Sequence, residues 1–115
     1  MRGKKREKIF KGIISLLILR LLWDSPQYGY ALENELNDKL AIKLSDGEIY
    51  SILRNMEIRK LLKSYVITEK GRMRRYYQIN DDGRKFLMEH ITPLKIAYPL
   101  IGEIIGFIES VRDKN

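Results

Sequence analysis

Apolar positions along the 115 residues change period twice, and the changes mark out the elements. From Ile9 to Asp24 nearly every position is apolar, including Ile13, Leu16, Leu17, Leu21 and Trp23, with Arg20 adding a long apolar stem. This predicts a helix buried on most sides and ended by Ser25-Pro26. Tyr28 to Leu40 repeats Tyr28, Ala31, Leu32, Leu36 and Leu40 with helical spacing against an acidic and amide face, which predicts a second, amphipathic helix. A third helix has a well-marked start. Ser45 followed three residues later by Glu48 is a capping box, and Leu44 and Ile49 stand where a hydrophobic staple closes. Ile49, Leu53 and Met56 form its predicted buried stripe, while Ser51, Arg54, Asn55, Ile58 and Arg59 point elsewhere.

After Leu61-Leu62 the period shortens to that of strands. Ser64 to Thr68 and Arg72 to Ile79 flank Lys70-Gly71, a two-residue turn with glycine where φ is positive, and so predict a hairpin. Pairing Glu69 with Arg72 sets Ile67 opposite Arg74, Val66 opposite Arg75, Tyr65 opposite Tyr76 and Leu62 opposite Ile79, so the base is apolar and the tip cationic. Asn80-Asp81-Asp82 caps a fourth helix, and Thr92-Pro93 restarts the chain as N-cap and first residue of a fifth. In that last helix Leu94, Ala97, Ile101, Ile104, Ile108 and Val111 form a heptad-like seam; Pro99 can kink it, and Gly102 and Gly106 weaken it. The chain therefore divides into a basic arm (1–8), a helical domain with a hairpin (9–80) and a helical segment (81–115).

This length supports one modest core. With no cysteine there is neither a disulfide framework nor a thiolate metal site, which fits a reducing, cytoplasmic setting. His90 is the sole histidine, and no phosphate loop, dinucleotide fingerprint or nucleophile elbow occurs, so no enzyme activity, metal or cofactor is expected. The stretch from Ile13 to Trp23 is too short to span a bilayer, is interrupted by Arg20, and lacks the cleavage site of a signal peptide, so no membrane association is expected. The formal net charge of +7 fits nucleic acid, an anionic membrane surface or simple solubility, and charge alone does not choose among them.

Three helices followed by a hairpin give the order of a winged helix-turn-helix, an α+β (mostly α) fold with a two-stranded wing, here followed by a C-terminal helix whose apolar seam needs covering. The segments YGYALENEL, GEIYSILRNMEIRKLL and GRMRRYYQINDDGRKFL, in that order, resemble the PadR family of transcriptional regulators over roughly Gly12 to Leu87. Gly29, Tyr30, Gly47, Tyr50, Tyr77 and Gly83 match positions of the family pattern; Glu48, Ser51 and Lys60 depart from it. Lys60 replaces a glycine. Keeping a left-handed end there costs roughly 1 kcal/mol, which favours a different end to the third helix.

The resemblance implies a homodimeric repressor bound to double-stranded DNA at an inverted repeat, with the seam from Leu94 to Val111 covered by a second copy. The expected DNA contacts are Ser45, Tyr50, Ser51, Arg54 and Asn55 on the third helix, with Tyr28 at the start of the second. Lys70, Arg72, Arg74 and Arg75 on the wing and Lys4, Lys5 and Arg6 on the arm complete the set. Arg54 and Asn55 are the base readers; Ser45 is first a cap. Some family members bind a small aromatic effector, for which Tyr98, Phe107 and Trp23 give no support beyond ordinary packing. Two other readings fit the same pattern: a nucleic-acid or chromatin binder indifferent to sequence, and a winged-helix module that binds protein.

Overall fold

The computed structural model describes residues 2–114, with side chains from Phe10 onward. Five helices and three strands follow in the order α1 (Arg2–Leu21), β1 (Gln27–Tyr28), α2 (Gly29–Lys39), α3 (Asp46–Ile58), β2 (Leu62–Glu69), β3 (Arg72–Ile79), α4 (Asp81–Glu89) and α5 (Ile91–Asp113). The winged helix-turn-helix expected from the sequence is present. Helix α1 starts at Arg2 rather than Ile9, so the backbone of the basic arm is helical; the side chains of Lys4, Lys5 and Arg6 lie outside the described residues. One face of α1 is fully buried through Ile14, Ile18 and Leu19, continued by Leu22 just past its end, whereas Ile13 is 46% exposed and Arg20 points to solvent beside Asp24. The helix is therefore buried on one side, not on most sides.

The core gathers where this face meets Leu32 and Leu36 of α2, Ile49, Ile52, Leu53 and Met56 of α3, and Leu61, Leu62, Tyr77 and Ile79 from the base of the sheet. Each fully buried leucine or isoleucine contributes about 1.5–3 kcal/mol relative to exposure. Tyr28 is not helical: with Gln27 it forms a short strand that pairs antiparallel with β3, Gln27 opposite Tyr77 and Tyr28 opposite Tyr76, giving a sheet ordered β1-β3-β2. The hairpin register is the predicted one from Leu62↔Ile79 to Glu69↔Arg72. Both turn residues adopt positive φ, Lys70 at 48° and Gly71 at 78°, as a type I′ turn requires.

The third helix ends against expectation. Lys60 takes φ 62°, Leu61 N–H donates to Met56 O at 3.0 Å, and Lys60 N–H donates to Glu57 O at 3.0 Å. That is a Schellman motif built on a lysine, with Leu61 and Met56 buried together as its hydrophobic contact. The left-handed geometry is kept because the carbonyls it turns outward have partners. Asn80 Nδ2 donates to Lys60 O at 2.9 Å, and Asn80 N–H reaches Leu61 O at 3.5 Å. The same asparagine caps α4 by accepting from Gly83 N–H at 2.8 Å. At Gly83 an added Cβ would stand 2.0 Å from Leu61 O and 2.9 Å from Ile79 Cγ1, so the approach of α4 to this turn needs glycine.

Helix α5 begins at Ile91 with His90 as its N-cap, so Thr92 is helical rather than the cap, and Pro93 lies within the first turn but is not the first residue. Proline is tolerated there because the first-turn N–H groups have no helical acceptor. Apart from half-buried Ala97, every residue of α5 is exposed.

Two substitutions test the turn after α3. Lys60→Gly removes the left-handed strain and should raise unfolding stability by about 1 kcal/mol. Gly83→Ala should lower it by about 3 kcal/mol or more, since neither the Leu61 carbonyl nor Ile79 can give way cheaply. Urea denaturation measures both.

Candidate nucleic-acid interface

Helix α3 is set by its ends. Ser45 Oγ accepts from Glu48 N–H at 3.2 Å and Glu48 Oε1 accepts from Ser45 N–H at 3.1 Å, so the capping box forms and Ser45 is occupied as a cap. Leu44 is buried, with its N–H donating to Asn37 Oδ1 at 3.2 Å, which ties the turn before α3 to α2. Burying Ile49, Ile52, Leu53 and Met56 leaves Tyr50, Ser51, Arg54 and Ile58 on the opposite face. Asn55 is also exposed, but it stands about 100° around the helix from Arg54 and lines a groove with Arg59, Phe86 and His90. The two expected base readers therefore do not share a direction. Arg59 is turned away too, its guanidinium 4.9 Å from the centre of the Phe86 ring.

Tyr50 connects α3 to the start of α2. A Cβ at Gly29 would lie 2.8 Å from the Tyr50 hydroxyl, so glycine gives this ring its seat. Burial pushes the Tyr50 phenol above its ordinary value, with the carboxylates of Glu33 and Asp46 adding to the effect. From this seat a groove of about 650 Å³ opens between Tyr28, Gly29, Tyr30 and Tyr50 on one side and Arg72, Met73, Arg74 and Arg75 on the other. Strand β1 covers β3 only at Tyr76 and Tyr77, which leaves the edge of β3 from Arg72 to Arg75 open to this groove. Tyr30, 62% exposed, belongs to it; the sequence pattern singled out Tyr28 and gave no functional role to Tyr30.

The three wing arginines, alike in sequence, have three environments. Strand alternation places Arg72 and Arg74 on one face of β3 and Arg75 on the other. Arg74 lies over the Tyr28 ring at 4.4 Å, a cation–π contact that joins an outer ladder of Tyr28, Tyr76 and Tyr65. Tyr76 Oη donates to Glu69 Oε1 at 2.6 Å, which pushes its own phenol above the ordinary range. Arg75 Nη1 donates to Ser64 Oγ at 3.0 Å, and Ser64 Oγ donates to Glu57 Oε2 at 2.7 Å. Arg75 thus braces the wing against α3. Arg72 and Lys70 stay exposed at the tip, with Arg72 opposite Glu69.

An acidic pair sits behind the start of α3. Glu33 of α2 has one carboxylate oxygen, Oε2, withdrawn from water without a partner. A hydrogen bond with Asp46 raises the Glu33 pKa above its ordinary 4.5, burial and the Asp46 charge add to this, and Lys43 opposes it. Among the described residues no cluster of His, Asp and Glu suited to a metal ion occurs.

The family model for the transcriptional regulator PadR-like family matches residues 18–89. Among solved structures, TA0346 from Thermoplasma acidophilum, assigned provisionally as a transcriptional regulator, is 32% identical, with TM-score 0.82 over 87% of this chain and 97% of that one. A PadR-like transcriptional regulator from Bacillus cereus is 27% identical, with TM-score 0.72 over 85% and 96% of the two chains. A PadR family transcription regulator from Clostridium difficile is 26% identical, with TM-score 0.70 over 80% and 97%.

The acidic pair gives a pH signature. A raised Glu33 pKa means that the folded state holds the proton more tightly than the unfolded chain. The resulting stability is full below about 4.5 and is lost as pH rises through the folded-state value. Glu33→Gln, which mimics the protonated form, should gain stability relative to the parent protein as pH rises from about 4.5 toward 7. Thermal denaturation across that range checks the sign; a constant difference between the two proteins would remove the shared proton.

Proposed function

The chain belongs to the PadR-like family of transcriptional regulators, and from that premise we propose that it is a cytoplasmic homodimeric repressor bound to an inverted repeat in double-stranded DNA. The observation that carries the reading is the groove in which Tyr50 of α3, Gly29 and Tyr30 of α2 and the open edge of β3 from Arg72 to Arg75 meet, next to the exposed face of α3 that carries Ser51 and Arg54. With α3 in the major groove, Arg54 projects from the centre of the outer face, where a guanidinium can meet guanine bidentately. Tyr28, Tyr50 and Ser51 have hydroxyls suited to phosphate oxygens. Lys70, Arg72 and Arg74 supply charge whose neutralisation of phosphates releases counterions. Arg75 contributes by holding the wing in place, and Asn55 takes a flanking position. Lys4, Lys5 and Arg6 add basic charge at the start of α1.

Dimerisation rests on α5. Leu94, Ala97, Ile101, Ile104, Ile108 and Val111 fall on one side of a helix whose apolar arc spans about half its circumference, wider than a two-stranded seam needs. The arc runs into the groove where Leu94 and Ala97 meet Ile13, Leu16 and Phe86. A second copy that laid its own α5 along both would cover what one chain leaves open. By length and composition α5 could also cross a membrane. Lys95, Glu103 and Glu109 lie along its other arc, however, and the cost of placing such charges in lipid favours a protein partner.

Sites selected from a random duplex pool should be bound at least about 10³-fold more tightly than unselected DNA at fixed salt. Equal affinity would instead identify a binder indifferent to sequence. Arg54→Ala should relax the base preference at one position in each half-site, a change of roughly 1–3 kcal/mol in discrimination. Arg72→Ala should weaken all sequences alike and lower the salt slope by about one. Ile104→Glu, at a position already exposed in the single chain, should leave the winged helix-turn-helix folded and convert the dimer to monomer in sedimentation; a dimer that persists would overturn the role of α5.

A further inference from the structure

Met73 has no structural use that the core explains. It is 77% exposed, more than any other large apolar side chain outside α5 among the described residues, and it stands at the end of a wing otherwise tipped with Lys70, Arg72 and Arg74. Strand alternation puts it on the same face of β3 as Arg75 and Tyr77. Its cross-strand partner is Thr68, and Val66, also exposed, is the next residue of β2 on that face. At about 3.4 Å per residue Met73 lies about 14 Å beyond Tyr77, where the core stops. The Arg75–Ser64–Glu57 chain fixes the direction of that reach relative to α3.

These dimensions match DNA. A helix centred in a major groove about 12 Å wide lies about 6 Å from the phosphate ridge, less than the roughly 14 Å by which the wing extends past the core, so a wing directed across that ridge reaches the neighbouring minor groove. That groove is about 6 Å wide, a width that a single unbranched side chain can enter and a two-stranded hairpin cannot. An apolar group delivered at a tip that also carries Lys70, Arg72 and Arg74 suits a polyanion's groove better than a protein surface, for which the patch is too small. Apolar side chains inserted from the minor groove act by partly unstacking a base step, and pyrimidine–purine steps yield most readily.

We propose that Met73 is an apolar wedge that enters the minor groove beside the half-site held by α3 and unstacks a pyrimidine–purine step there, while Arg72 and Arg74 hold the bordering phosphates. The inference rests on the DNA-binding reading above and adds specificity at a position that α3 never touches.

The test uses the full chain, its Met73→Ala and Met73→Leu variants, selection from a random duplex pool, and the selected duplex carrying 2-aminopurine at the flanking step. The parent protein should enrich TA or CA/TG one groove away from the half-site and raise the 2-aminopurine fluorescence on binding. Met73→Ala should keep the preference under α3, lose the flanking enrichment and the fluorescence rise, and bind the selected site about tenfold more weakly. Met73→Leu should retain all three. The exposed position predicts equal melting temperatures for the three proteins. If the parent protein selects a site and Met73→Ala is indistinguishable from it, or loses the α3 preference as well, the wedge is overturned and DNA binding stands. If the parent protein binds no duplex, both fall.

Discussion

The geometry of the whole surface depends on a clasp at two backbone carbonyls. Where α3 ends, the left-handed Lys60 turns the carbonyls of Lys60 and Leu61 out of the helix, and Asn80 meets both, through its side-chain amide and its backbone N–H. Its side-chain oxygen caps α4. One residue at the far end of the hairpin therefore holds the point where the hairpin began. Because the hydrogen bonds close a loop from α3 through the wing and back, the angle between α3 and the wing is set by one asparagine whose side chain is itself held at both its amide nitrogen and its oxygen. Gly83 makes the clasp tight, since any side chain there would force the two segments apart.

The Arg75–Ser64–Glu57 chain adds a second brace on the opposite side of the hairpin. With both in place, the surface offered by α3 and the wing is largely set before any partner arrives, and binding need not include the entropy of ordering the wing. The arrangement also explains why arginine-rich sequence at the wing is not uniformly available charge. Arg75 acts within the protein, Arg74 is partly held by Tyr28, and Arg72 with Lys70 remains free to meet a polyanion.

How much of this could be read beforehand follows the range of the signals. The capping box at Ser45–Glu48, the hairpin with its full register and the Asn80 cap were legible because each is a contact between residues close in sequence with a fixed chemical signature. Strand β1 was not. Two residues carry no period, and Tyr28 becomes a strand only because β3, about fifty residues later, offers an unpaired edge. The end of α3 was misjudged for a related reason: the local cost of a left-handed lysine was visible, whereas the partners that sustain it lie twenty residues away. The separation of Asn55 from Arg54 was within reach of helical geometry, but the walls that Asn55 faces, Phe86 of α4 and His90 just after it, were not.

Helix α5 adds a step that concerns state rather than shape. It is 23 residues long, carries Pro99, Gly102 and Gly106, and within its own chain only Ala97 is even half-buried. A helix of that composition is marginal in water by itself, because propagation barely outweighs nucleation and each interior glycine costs about 1 kcal/mol. Its order must come from whatever covers the apolar arc. Under the dimer proposed above, folding of α5 and association are one equilibrium, so the fraction of chain able to place two wings and two α3 helices on one duplex depends on protein concentration. The rigid clasp and the conditional helix then divide the work: the first sets what a half-site contact looks like, and the second decides whether two such contacts are presented together.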